Sequence, residues 1–188
     1  MLEIKKIKRK FDIPSTMMAV ITTGNGGYDK LEYKSVPVPI LSSDEVLLKV
    51  LAAGINNTDI NTRLGWYSSS VTSSTDAFIG EQEKKGDFKL DGGWKKATPF
   101  PMIQGTDCCG LVVDIGKTKR HDLLGSRVLV RACMRPKGFT AMEKIWMASD
   151  FDGAFAEYVK VSSSEVFPIN CNCITFSVIF TTINNFNC

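Results

Sequence analysis

The sequence holds a single histidine, His121, inside the polar run Lys119-Arg120-His121-Asp122. With one imidazole a multi-histidine metal site is excluded, and a Ser-His-Asp or Cys-His relay must use His121 or not exist. Its charged neighbours place it on a solvated turn. The six cysteines, Cys108, Cys109, Cys133, Cys171, Cys173 and Cys188, contain no C-x-x-C pair. A zinc knuckle or a thioredoxin-type redox motif is therefore not expected. Gly24-x-Gly26 opens like a dinucleotide fingerprint, but its third glycine position falls on Asp29 and no helix of useful length follows. It reads as a hairpin turn. Asn57, Thr58 and Asp59 are residue types that bond backbone N–H groups at helix starts.

These residues need elements to hold them. Thr58–Leu64 is predicted as a short helix, with Asn57 or Thr58 as its N-cap and Gly65 as its stop. Strands are expected over Met17–Thr23, Leu31–Val38, Glu45–Ile55, Cys109–Ile115, Arg127–Cys133 and Ala154–Val161, punctuated by glycine and proline turns. Pro37 and Pro39 put the end of the second strand on a sheet edge, because proline cannot donate to a ladder. In the third, Val46, Leu48 and Val50 alternate with Leu47, Lys49 and Leu51. Short strands with such turns argue for a mainly β fold, a compact barrel or sandwich. Residues 66–99, rich in Ser, Thr and Gly, read as a long polar insertion.

Composition agrees with a globular chain. Of 188 residues, 44% are hydrophobic and 23% charged, which excludes disorder and repeat fibres. Five basic residues crowd the first ten positions, so 1–15 reads as a basic extension and the body is close to neutral. A nucleic-acid footprint is not expected. No apolar run approaches the ~18 residues of a spanning helix, and no apolar segment of a signal peptide follows the lysines, so no membrane partner is expected. The cysteines then read as reduced thiols in a cytoplasmic protein. Residues 172–188 carry no charge, glycine or proline and depart from the preceding grammar of strands and turns. Their β propensity without a gatekeeper charge signals self-association.

Read in order, several segments share a pattern: Met18-Ala19-Val20, Gly26-Gly27, Leu31-Glu32-Tyr33, Val36-Pro37-Val38-Pro39, then Glu45–Val50 and Ala53-Gly54-Ile55-Asn56-Asn57-Thr58-Asp59. Pro101-x-Ile103-x-Gly105-Thr106-Asp107-x-x-Gly110, Gly125-Ser126-Arg127-Val128 and Asp152–Val159 complete it. Together they resemble the N-terminal GroES-like (alcohol-dehydrogenase-like) domain of medium-chain dehydrogenases/reductases. The resemblance implies a GroES-like, partly open β barrel with short helices over residues 16–171. It also implies a separate Rossmann domain after Pro168, which this chain does not contain, so the chain is expected to be a truncated product.

Zinc-dependent members carry Cys-His-Thr-Asp and Gly-His-Glu where this sequence has Asn56-Asn57-Thr58-Asp59 and Gly105-Thr106-Asp107. An amide and a hydroxyl are poor zinc ligands, so no zinc is expected. Cys108 and Cys109 cannot replace the lost ligands, since neighbouring strand side chains face opposite ways. Asn56, Asp59, Arg63 and Tyr67 match instead the zinc-independent quinone oxidoreductase branch, whose reaction is hydride transfer from NADPH to a quinone, enone or other carbonyl substrate. By that resemblance Asn56 and Tyr67 line the nicotinamide and substrate cleft and polarise the acceptor. Thr58 takes the position of a proton relay. Asp59 and Arg63 serve the cofactor side, with Asp59 orienting the loop and pairing with Arg63 one turn on. A homodimer or looser self-association is a further expectation. The competing expectation is a non-enzymatic GroES-like module that binds a partner or oligomerises.

Overall fold

The computed structural model describes residues 11–67, 97–138, 140 and 143–170. Most of the 66–99 insertion, residues 1–10 of the basic extension and the whole 172–188 tail lie outside the described residues. The described residues form ten strands, β1 (Thr16–Thr22), β2 (Leu31–Pro37), β3 (Glu45–Gly54), β4 (Met102–Ile103), β5 (Asp107–Ile115), β6 (Arg127–Val130), β7 (Cys133–Met134), β8 (Ile145–Trp146), β9 (Tyr158–Ser162) and β10 (Val166–Pro168), and one α-helix, α1 (Asn57–Arg63). The short helical pieces expected of this fold are thus α1 and three single 3-10 turns. One sheet runs β2-β1-β4, a second β10-β6-β5-β3-β9, and β7 pairs with β8. The sheets remain open and are stitched by Val20 N–H to Phe155 O (2.8 Å) and Glu157 N–H to Met18 O (3.1 Å). The described residues contain no Rossmann unit.

The strand β3 is the spine, paired with β5 on one side and β9 on the other. Its first half is covered on both faces. Val46 and Leu48 pack with Val112, Val128, Val159 and Val161, while Leu47 packs with Met17, Ala19 and Ile21 from the smaller sheet and with Tyr158 of β9. The strict alternation read from the sequence does not persist, because the β3–β5 register shifts between Leu47 and Leu48 and again between Val50 and Ala52. Two such irregularities bend the strand and turn Leu51 outward to solvent.

Two other strands differ from expectation. The predicted Arg127–Cys133 strand is split at Arg131 and Ala132 into β6, which pairs with β10, and β7, which pairs with β8. The Arg131 N–H bonds Glu165 O (2.9 Å) and its guanidinium pairs with the buried Glu165 carboxylate (2.6 Å). The predicted Ala154–Val161 strand begins only at Tyr158. The backbone before it is used elsewhere: Gly153, Ala154 and Phe155 donate to the carbonyls of Ile103, Gly105 and Gln104 at 2.7, 2.9 and 2.9 Å. Gly24–Gly27 lies, as read from the sequence, in the β1–β2 hairpin connection, and β2 is an edge strand. His121 is exposed on a 3-10 turn.

Candidate functional site

The site is built where β3 gives way to α1. The backbone of Asn56 is extended (φ −128°, ψ 174°), and its side-chain Oδ1 accepts the Thr58 N–H at 2.8 Å. The Asp59 carboxylate accepts the Asn56 N–H at 3.0 Å in return. Both halves of a capping box are therefore present, satisfying N–H groups that a helix start leaves without partners. The N-cap is Asn56, one residue before the expected Asn57 and two before the alternative Thr58, and the helix begins at Asn57. Gly65 stops it as expected: its φ of 71° is left-handed, its N–H reaches Thr62 O (3.1 Å), and Trp66 N–H reaches Asn61 O (2.8 Å).

The same amide ties α1 to the segment before β5. Asn56 Nδ2 donates to Thr106 Oγ1 at 2.8 Å and to Asp107 Oδ2 at 2.9 Å. Both amide protons of Asn56 are thus committed, as is one lone pair of its oxygen. Asp59 reaches the same segment, accepting the Gly105 N–H at 3.1 Å on its other carboxylate oxygen. Its backbone carbonyl accepts from Gln104 Nε2 at 3.0 Å, and Gln104 Oε1 accepts from Thr22 Oγ1 at 2.8 Å. Gly105 sits at φ 103°, and a Cβ there would meet Phe155 N at 2.8 Å, so only glycine leaves the Phe155 backbone this close.

Asp59 is 5% exposed. Burial pushes its carboxyl above the ordinary carboxylate value; N–H bonds from Asn56 and Gly105 oppose this and the Asp107 charge adds to it. Arg63 is 7% exposed and does not pair with Asp59, as one-turn spacing had implied. Its guanidinium instead donates to Gly26 O and lies over the Tyr28 ring at 4.9 Å. Asn25 Nδ2 bonds Thr62 O at 2.9 Å, so the β1–β2 turn clasps the C-terminal half of α1. The winning interaction is a desolvated backbone carbonyl plus an aromatic face, against an aspartate already saturated by N–H groups.

The structure thus brings Asn56, Thr58 and Asp59 together at one helix end and places Arg63 at the other. Tyr67 follows in the turn after α1, half-buried, and Thr58 is likewise half-buried. Ile55, next to Asn56 in sequence, is 76% exposed, and Leu51 of β3 and Ile60 of α1 are also exposed. Sequence reasoning missed Asp107 and Gln104 as partners. A polar Gln104 between Ile103 and Gly105 in a buried run was the available signal. Among the described residues no cluster of three His, Cys, Asp or Glu side chains is placed to hold a metal. No helix among them is long and apolar enough to cross a membrane. A cavity of about 480 Å³ lies between Met17, Ile21 and Val36 of the smaller sheet and Tyr158–Lys160 of β9, and none of the predicted site residues lines it.

Comparison with known proteins agrees with this architecture. The family of the alcohol dehydrogenase GroES-like domain matches residues 42–171. Reticulon-4-interacting protein 1, mitochondrial, of Caenorhabditis elegans is 30% identical over 130 residues, covering 69% of this chain and 31% of that protein. The NADPH-dependent alkenal/one oxidoreductase, chloroplastic, of Arabidopsis thaliana is 29% identical over 154 residues, covering 79% and 30%. The quinone oxidoreductase of Coxiella burnetii shares the fold at a TM-score of 0.54 and 22% identity, over 86% of this chain and 39% of that one. The chain spans about a third of the length of the curated relatives it matches. With the capped α1 corner, the two bridging sheets and the matched residues in place, the chain belongs to the family of the alcohol dehydrogenase GroES-like domain, within the medium-chain dehydrogenase/reductase superfamily.

Proposed function

We propose that this chain forms the substrate-side half of a zinc-independent, NADPH-dependent oxidoreductase acting on quinones, enones or related carbonyl compounds. One observation carries the reading: the two positions that hold zinc in metal-dependent members are joined directly, Asn56 Nδ2 to Thr106 Oγ1 at 2.8 Å, and the same amide donates to the neighbouring Asp107 Oδ2 at 2.9 Å. Side chains that bond each other present an amide and a hydroxyl, which are weak zinc donors. The alkenal/one oxidoreductase named above supports the choice of NADPH and of an enone-type acceptor.

NADPH supplies a hydride when bound. The residues present fit a nicotinamide ring: the exposed Ile55 side chain offers apolar surface next to Asn56 and Thr58. Since both Asn56 protons are held internally, Asn56 keeps the corner in shape and exposes only its remaining carbonyl lone pair. By the family resemblance, polarisation of the acceptor carbonyl is assigned to the Tyr67 phenol and the Thr58 hydroxyl, groups that need no metal. Asp59 and Arg63 are buried and act on the cofactor side by position: Asp59 fixes Gly105 and Arg63 fixes the Gly26 turn. The cytoplasm, with its reduced thiols, is the setting that suits this chemistry.

The test is NADPH oxidation with an α,β-unsaturated ketone and with a quinone, by a form of the protein that also carries a nucleotide-binding domain, after dialysis against chelator. Retained turnover and less than about one zinc per ten chains by elemental analysis are expected. Activity lost on chelation and restored by zinc would overturn the reading.

A further inference from the structure

The outer side of β2 is an open edge. The flanking bonds Val38 N–H to Ser15 O (3.0 Å) and Thr23 N–H to Lys30 O (2.9 Å) set the parity of the β1–β2 ladder. Even-numbered residues of β2 bond β1, so Leu31, Tyr33 and Ser35 turn their backbone groups away from it. The Leu31 N–H is taken by Tyr28 O. That leaves the N–H groups of Tyr33 and Ser35 and the carbonyls of Leu31, Tyr33 and Ser35 along the edge. Among the described residues no strand pairs there. Tyr33 is 72% exposed at the middle of the strand.

We infer that this edge pairs with a second copy of itself, antiparallel and two-fold symmetric about Tyr33. The side-chain pattern selects both the occupant and the register. Centred on Tyr33, Glu32 of each copy lies opposite Lys34 of the other, and Leu31 lies opposite Ser35. Centring on Glu32 would oppose Glu32 to Glu32 and Lys34 to Lys30. Centring on Lys34 would oppose Lys34 to Lys34 and bring Pro37, which has no N–H, opposite Leu31. The Tyr33 register leaves Pro37 outside the paired segment. It also forms four backbone bonds, two between the Tyr33 residues and two from Ser35 N–H to Leu31 O. Within one chain Lys34 Nζ already sits 2.6 Å from Glu32 Oε2 on an exposed face, so the two charges are free to be shared across the new strand pair.

A contact this small is weak, with dissociation on the order of 10–100 µM. Sedimentation velocity of the full chain across that range tests it. Wild type is expected to shift from monomer to dimer. Glu32→Lys and Lys34→Glu, each of which opposes like charges, are expected to stay monomeric alone, weakened at least ~10-fold. An equimolar mixture of the two single variants, and the double variant that swaps both charges, are expected to associate again. Ser35→Pro, which removes an outward N–H and no β1 bond, is expected to stay monomeric with an unchanged circular dichroism spectrum. A wild-type monomer throughout the range, a dimer indifferent to the single charge changes, or no recovery in the mixture would each overturn the inference.

Discussion

Asn56 donates its side-chain amide to the Asp107 carboxylate across 2.9 Å, bridging the start of α1 to the start of β5. With the Thr106 bond and the cap to Thr58, one short side chain makes three contacts that no other residue type of that size reproduces. Asn56→Ala removes all three and is expected to cost about 1–3 kcal/mol in denaturant unfolding. Asn56→Asp keeps the cap but sets a carboxylate against Asp107. It should cost more at neutral pH and recover on acidification, once one carboxyl of the pair is protonated and donates to the other. Equal cost at all pH values would contradict the contact.

The raised Asp59 pKa has a sign that can be checked. The folded state holds the Asp59 proton at pH values where the unfolded chain has released it. Its contribution to stability is complete below the ordinary carboxylate value, falls as pH rises from about 4 through the raised value, and is flat above. Asp59→Asn lacks that loss. The stability difference between wild type and variant, from urea midpoints, should therefore move in the variant's favour as pH rises across that window. A move the other way would mean that the N–H bonds from Asn56 and Gly105 outweigh burial.

Much of this corner was legible in the sequence, for local reasons. Asn, Thr and Asp before an apolar-periodic stretch announce a helix start, and Gly65 announces its end, because both depend on a few neighbouring residues. The edge position of β2 followed from Pro37 in the same way. The Arg63 contact was not legible. One-turn spacing points to Asp59, yet the arginine is taken by Gly26 and Tyr28, some 35 residues away in sequence, once the β1–β2 turn folds over α1. The late start of β9 was hidden for a similar reason. Gly153, Ala154 and Phe155 read as strand, but their N–H groups are claimed by the Ile103–Gly105 carbonyls rather than by β3.

The adjacent cysteines should differ from Cys133 in reactivity. Cys108 packs with Val46 and Val112 on one face of the larger sheet, and Cys109 packs with Ala52 on the other. Burial, with Cys109 and Asp107 beside it, pushes the Cys108 thiol well above the usual cysteine range. Cys133 is only half-buried. Brief alkylation of the native protein, mapped by mass spectrometry, is expected to modify Cys133 ahead of Cys108 and Cys109. Prompt labelling of Cys108 would mean that β5 opens.

The most direct measurement of the functional account is an NMR titration of the isotope-labelled chain with NADPH. The described residues hold no glycine loop at a helix N-terminus that could cradle a pyrophosphate, and the Gly26 carbonyl is taken by Arg63. Binding is therefore expected to be roughly millimolar or weaker. Its chemical-shift changes should be confined to Ile55, Asn56 and Thr58 at the start of α1 and to Tyr67 in the turn after it, and Tyr67→Phe should weaken them. Micromolar binding, or changes centred on Gly24–Gly27 with the Asn56 corner silent, would contradict the assignment of this corner as the nicotinamide side of the site.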